Sequence, residues 1–173
     1  MTSNRVRQAK IVREAEGYLE LGMSQYALDT LARLGDPAKF SSYALYLWGE
    51  ALRVLERYEE AIMPLVRAAE AAPGNLPVWF ALGWCYKRTG QIDLAIASLE
   101  QALESEPTQA LVHYNLACYW SLAGNKERAM QYLSRSLAID PQYVDLIDSE
   151  PDFDPIRRDP DFRTLCEELR TRP

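Results

Sequence analysis

Apolar residues along the chain recur at helical spacing and stop at glycine and proline. Between Leu76 and Gln109, the positions Trp79, Leu82, Gly83 and Tyr86 are separated by three, one and three, which places them on one helical face. Gly90 ends that run. A second run follows, with Ala95, Leu99 and Ala102 spaced by four and three, and Pro107 closes it. The pattern predicts two helices joined by a tight turn. Gly83 and Ala95 are small enough for two backbones to approach closely, and Trp79 and Tyr86 fill the space beside them.

The same pattern returns at a fixed step. Pro73, Pro107 and Pro141 are 34 residues apart (107 − 73 = 34 and 141 − 107 = 34), as are Ala27, Ala61, Ala95 and Ala129, and Leu31, Leu65, Leu99 and Leu133. Four units result, 8–41, 42–75, 76–109 and 110–143, followed by a different segment over 144–173. A fixed period of this length marks a stack of supersecondary units, each contacting mainly its neighbours.

The units closely resemble the tetratricopeptide repeat (TPR), whose pattern is W-x₂-L-G-x₂-Y, then A-x₃-F, A and P. Trp79, Leu82, Gly83, Tyr86, Ala95, Ala102 and Pro107 match it, with Leu99 where Phe is usual. Unit four has Leu116, Ala117, Trp120, Ala129, Leu133 and Pro141 at the matching places; unit two has Trp48, Gly49, Leu52, Ala61, Leu65, Ala68 and Pro73. Unit one keeps Ala15, Tyr18, Ala27 and Leu31 but has Glu14 for Leu and Lys39 for Pro, as an end repeat facing water would. The resemblance implies an all-α fold: a right-handed superhelix of four antiparallel helix-turn-helix repeats plus a C-terminal capping helix. Asn75 and Thr108 are candidate N-caps of the first helices of units three and four. Pro64, inside the second helix of unit two, predicts a kink there.

Beyond Tyr143 the chain is acidic and punctuated by proline. Asp154-Pro155 and Asp159-Pro160 read as N-cap and first-turn pairs, which predicts a helical turn over 155–158 and a helix over 160–169. Phe162, Leu165, Cys166 and Leu169 share a face that would cover the end of the fourth repeat. The segment resembles the D-F-x-x-[IL]-R-x-D-P-x-F-x-x-L ending of many bacterial TPR proteins, with Asp152, Phe153, Ile156, Arg157, Asp159, Pro160, Phe162 and Leu165 at its places.

Positions 4, 7, 8 and 11 of each first helix are used by the core; positions 2, 5, 9 and 12 form a second face. The resemblance implies that this face lines a concave, peptide-binding groove. Position 5 is Tyr46, Phe80 and Tyr114 in units two, three and four, and Tyr43 and Trp84 extend the aromatic stripe. Glu16 and Glu50 hold position 9 in units one and two, and Cys118 holds it in unit four. Arg53 and Lys87 hold position 12, with Arg88 beside Lys87, and Asn115 at position 6 of unit four is a candidate donor to an extended backbone. The groove set is therefore Tyr43, Tyr46, Glu50, Arg53, Phe80, Trp84, Lys87, Arg88, Tyr114, Asn115 and Cys118. Rings that the scaffold does not need mark an interaction surface. Packing within the molecule, against neighbouring first helices or the C-terminal tail, and contact between copies in a homo-oligomer are the alternative uses of the same stripe, and Glu50 with nearby Lys87 or Arg53 reads equally as a simple surface pair. The places of a carboxylate clamp hold Val12 and Glu16, Leu47, then Pro77 and Ala81, so a chaperone-tail clamp is disfavoured.

Composition narrows the remaining classes. With 48% hydrophobic residues the chain is a globular sequence rather than a disordered one, and it contains no apolar run long enough for a membrane span. The N-terminus has no signal-type apolar region. The formal charge of −6 disfavours nucleic acid. Three cysteines, Cys85, Cys118 and Cys166, without a C-x-x-C pair fit a reducing cytoplasm. The single histidine, His113, stands where the repeat has Trp and should face the core, so no catalytic set, metal site or cofactor is predicted. The run Asp148, Glu150, Asp152, Asp154 lacks the glycine and glutamate of a calcium loop, because Phe153 and Asp159 occupy those places; it reads as a solvated acidic linker. The function expected is non-enzymatic binding of a protein or peptide partner in the cytoplasm, without nucleic acid or membrane. A secretion-type chaperone for an export substrate is the alternative, and an undetected enzyme a more distant one.

Overall fold

The computed structural model describes residues 2–171, and among these every regular element is a helix. The chain divides into two compact units, one ending at Thr89 and one beginning at Gly90.

The first unit contains α1 (Thr2–Glu20), α2 (Ser24–Ala32), α3 (Ser42–Val54), α4 (Tyr58–Ala71) and α5 (Leu76–Arg88). Each helix packs on the next in order, and α3 also touches both α1 and α5. Ala15, Ala27, Leu31, Ala51, Leu52, Ala61, Leu65, Leu82 and Cys85 form its core, with Tyr18, Trp48, Trp79 and Tyr86 packed around them. The small residue at repeat position 8 is required by geometry: a Cβ on Gly49 would lie 2.5 Å from Leu65 Cγ. Ser41 caps α3, its Oγ accepting from Ala44 N at 3.2 Å. Arg67 on α4 donates to the carbonyls of Pro37 and Ala38 and so fixes the link into α3.

The turn between paired helices has one backbone geometry throughout. Gly22, Glu56, Gly90 and Gly124 are all left-handed, with φ of 72°, 58°, 75° and 75°, and they sit 34 apart (56 − 22, 90 − 56 and 124 − 90). The Schellman pattern of helix termination accompanies Gly22, Glu56 and Gly124, with Met23 N donating to Tyr18 O, Arg57 N to Leu52 O and Asn125 N to Trp120 O at 2.8–2.9 Å. Glycine adopts this conformation without a Cβ clash, whereas Glu56 holds it as an L-residue.

The second unit contains α6 (Ile92–Ser105), α7 (Ala110–Leu122) and α8 (Lys126–Ile139), then 3-10 turns at Pro141–Leu146 and Pro151–Phe153, then α9 (Pro160–Thr171). Leu116, Ala117, Tyr119, Ala129 and Leu133 are buried, and Ser136 Oγ ties α8 to α7 by donating to Ala110 O at 2.9 Å. His113 takes the tryptophan place without loss of its polar contact. Trp79 Nε1 donates to Pro73 O at 2.6 Å, and His113 Nε2 lies 2.8 Å from Pro107 O, six residues back in each case. The ring also stacks on Tyr132, with centroids 5.8 Å apart.

Two local expectations, both N-caps, differ from the structure. Asn75 stands at the N-cap of α5 but makes no side-chain cap bond; α7 is preceded by Gln109, so Thr108 is not a cap. Pro64 lies inside α4, as the sequence places it. In the tail a 3-10 turn at Pro151–Phe153, capped by Glu150 accepting from Asp152 N at 3.2 Å, runs on into turns over 154–158, where Ile156 N donates to Phe153 O at 3.0 Å and Asp159 N to Ile156 O at 2.9 Å. Asp159 does cap α9, accepting from Asp161 N at 2.9 Å, and Phe162, Cys166 and Leu169 on that helix are buried.

Candidate functional site

In the first unit the face formed by positions 2, 5, 9 and 12 lies on α1, α3 and α5, which stand side by side through α3. Tyr43 is 39% exposed, and its hydroxyl donates to the Glu16 carboxylate. Burial, and then that acceptor, push the Tyr43 phenol up to about 12. Its ring centroid is 6.2 Å from that of Tyr46, whose phenol is raised by burial and by Glu50. Arg53 donates from Nε and Nη2 to the two Glu50 oxygens at 2.8 and 2.6 Å, a bidentate pair with both side chains partly covered. Phe80 and Trp84 are half-buried on α5, and the Lys87 ammonium stands 5.3 Å from the Trp84 ring. Between α1 and α3 an open cleft of about 400 Å³ is lined by Arg5, Gln8, Ala9, Val12, Arg13, Glu16, Ser41 and Tyr43. Arg88 is drawn towards α4, with its guanidinium 5.0 Å from the Tyr58 ring.

The corresponding face of the second unit is closed, and this corrects the sequence-based groove set. Tyr114 is 4% exposed and Cys118 1%. The tail folds over them: Phe153, fully buried, meets Tyr114 edge-on with centroids 5.8 Å apart, and Tyr143 lies 5.3 Å from Tyr114 on its other side. Phe162 backs Phe153 at 5.4 Å. Burial raises the Tyr114 phenol far above its ordinary range, helped by Cys118, Glu150 and Asp152. Asn115 turns its amide back on its own helix, donating to Leu111 O at 2.8 Å, rather than outward.

The acidic segment is therefore seated as a lid through Ile147, Asp152, Phe153 and Ile156, and only Asp148 and Asp154 of its acidic run stay solvated as expected. Arg157 organises it, donating to the carbonyls of Ile147, Asp148 and Glu150 and to the Asp154 carboxylate. Lys126 on α8 grips the start of α9, with Nζ 2.7 Å from Asp161 and 3.0 Å from Asp159. Those two carboxylates hold Lys126 protonated well above its usual range, and Lys126 lowers Asp159 in return. The residues that seat the lid, Phe153 and Arg157, belong to the D-F-x-x-[IL]-R motif, and that motif was their one sequence signal.

Among the described residues the nearest approach to a metal-ligand set is Cys118, Glu150 and Asp152, with donor atoms within 4.8 Å of one another. It lies at the contact of tail and α7, where a Glu150 oxygen already accepts Asp152 N. Cys85 is a core thiol, pushed up to about 12 by burial, which leaves it a poor nucleophile at neutral pH. No helix among the described residues is long and apolar enough to cross a membrane.

The geometry has counterparts among known proteins. A family model described as "Tetratricopeptide repeat" matches residues 52–117 and 89–147, together more than half of the chain. Over 83 residues, 48% of this chain, the sequence is 31% identical to anaphase-promoting complex subunit 3 of Dictyostelium discoideum. The match spans only 9% of that protein's length. Among solved structures, MamA residues 41 to the end from Desulfovibrio magneticus RS-1 gives a TM-score of 0.71 at 20% identity, covering 94% of this chain and 95% of that one. YrrB, described as a TPR protein with an unusual peptide-binding site, gives 0.70 at 24% identity, covering 78% and 70%. The helix pairs, the left-handed turns at a 34-residue step and the family match lead to one assignment: the chain belongs to the tetratricopeptide repeat family of protein-interaction scaffolds.

Proposed function

We propose that the chain is a non-enzymatic binding module that takes an extended or helical segment of a partner protein across the first-helix face of its N-terminal unit, over Tyr43, Tyr46, Phe80 and Trp84. The observation that carries this reading is a contrast between equivalent positions. Tyr114 is sealed by the chain's own tail, whereas Tyr43 remains 39% exposed and Tyr46, Phe80 and Trp84 are only half-buried. Rings supply large contact area at low entropic cost and dominate binding hot spots. Half-buried rings are held in place by the scaffold, so a partner need not order them at its own expense. The peptide-binding site named for YrrB is in keeping with this use of the fold.

The paired charges set the polar frame. Glu50 and Arg53 satisfy each other, and Glu16 is engaged by Tyr43, so neither carboxylate stands unpartnered on the face. The test is affinity capture from the source cell with wild-type protein and a Phe80→Ala/Trp84→Ala variant side by side. Loss of a specific partner from the variant, with helicity by circular dichroism unchanged, is the expected result. Equal capture by both proteins would overturn the reading.

A further inference from the structure

The chain carries, on its own fourth repeat, a segment already seated on the face that its first unit leaves open. We propose that the open face of the N-terminal unit takes an acidic segment centred on a phenylalanine, of the kind exemplified by the chain's own Ile147–Ile156. This rests on the groove reading above and names the chemistry of its occupant.

Two observations converge. The first is positional. Tyr114, at position 5 of α7, receives Phe153 edge-on, and the 3-10 turn that presents Phe153 packs along that helix. Position 5 of α5 and α3 is Phe80 and Tyr46, also aromatic, so an incoming phenylalanine meets the same kind of ring 34 and 68 residues earlier in the chain (114 − 80 and 114 − 46). A phenyl ring against a phenyl or phenol edge gains stabilisation beyond area alone.

The second is charge. Phe153 is flanked by Asp148, Glu150, Asp152 and Asp154. In the N-terminal unit Glu50 is neutralised by Arg53, while Glu16, hydrogen-bonded by the neutral Tyr43 phenol, is a single carboxylate facing two arginines, Arg5 and Arg13, in the same cleft. Its cations frame the rings: Arg5 and Arg13 line the cleft that ends at Tyr43, and Lys87 stands over Trp84. Among the described residues neither Arg5 nor Arg13 pairs with a carboxylate. An acidic segment running from Tyr43 to Trp84 would thus find the two arginines at the Tyr43 end and rings along the rest of its path. A basic segment would meet like charge at that cleft.

The probe is a fluorescein-labelled synthetic peptide copying residues 147–156, titrated by anisotropy against full-length protein, in which the tail stays in place. Binding is expected. It should weaken about tenfold or more when the peptide phenylalanine becomes alanine, and in the Phe80→Ala/Trp84→Ala protein. An Arg5→Glu/Arg13→Glu protein should also bind more weakly, with a reduced salt dependence. A Tyr114→Ala protein should bind as wild type does. The inference is overturned by absence of binding, by equal binding of a peptide with lysine at each acidic place, or by loss of binding only in the Tyr114→Ala protein, which would mean exchange with the native tail. If partner capture still depends on Phe80 and Trp84 while the acidic peptide is refused, the groove reading stands and this inference alone fails.

Discussion

Removing the Phe153 ring tests how the second unit closes its own face. Phe153 is fully buried, 5.8 Å from the Tyr114 centroid and 5.4 Å from that of Phe162. Truncating a fully buried phenylalanine to alanine costs about 3–5 kcal/mol. Two aromatic contacts are lost at once, each worth about 0.5–1.5 kcal/mol beyond area, which puts Phe153→Ala towards the upper end, about 5 kcal/mol. A cost of that size is a large fraction of a small unit's stability. Urea unfolding followed by circular dichroism should show the loss as an early transition. Tyr114 supplies an independent readout. Its phenol is raised chiefly by burial under the tail, so in the variant one more tyrosine should ionise near the ordinary range in an alkaline absorbance titration. A stability loss below about 1 kcal/mol, with the tyrosine titration unchanged, would refute the claim that Phe153 is the keystone of the lid.

Local structure yields two more expectations. Glu56 is an exposed L-residue with φ 58° at the place where the other three turns have glycine, so Glu56→Gly should stabilise the first unit by about 0.5–1 kcal/mol in urea unfolding, and an unchanged or lower midpoint would contradict the strain argument. The Cys85 thiol, whose ordinary value is 9.0, is pushed up to about 12 by burial, so the unfolded chain loses this proton first; stability should fall as pH rises from 9 towards 12, and Cys85→Ala should show a shallower alkaline loss than wild type.

The repeat was legible because its causes are local. A proline at the end of each second helix, small residues where backbones meet and rings at the core positions recur at one step, and each has its reason within a single helix pair. His113 was legible for the same reason: its ring takes the indole's place and keeps the contact to the proline carbonyl six residues back. The lid over Tyr114 was legible only as an alternative, packing of the stripe against the C-terminal tail, without the residue that makes the contact. Phe153 is 39 residues further along (153 − 114), in a stretch whose composition reads as solvated acid, and only packing shows that its ring is inward and Asp152 is buried with it. Position alone gave Tyr46, Phe80 and Tyr114 one role; the tail, seated on the last repeat, makes Tyr114 a core residue. The open cleft at Arg5 and Arg13 also depends on rotamers and on the start of α1, which the 34-residue pattern does not specify.

The binding role proposed for this chain turns on one contrast: the N-terminal unit presents rings that a partner can cover, while the equivalent ring of the second unit is already covered. Hydroxyl-radical footprinting of full-length protein, alone and with the partner captured by wild type, measures this directly. Tyr43 and Trp84 should oxidise readily and Tyr114 slowly in the free protein, and partner addition should protect Tyr43, Tyr46, Phe80 and Trp84. Unchanged oxidation of those four rings, with protection appearing instead at the exposed Met63 on α4, would contradict it.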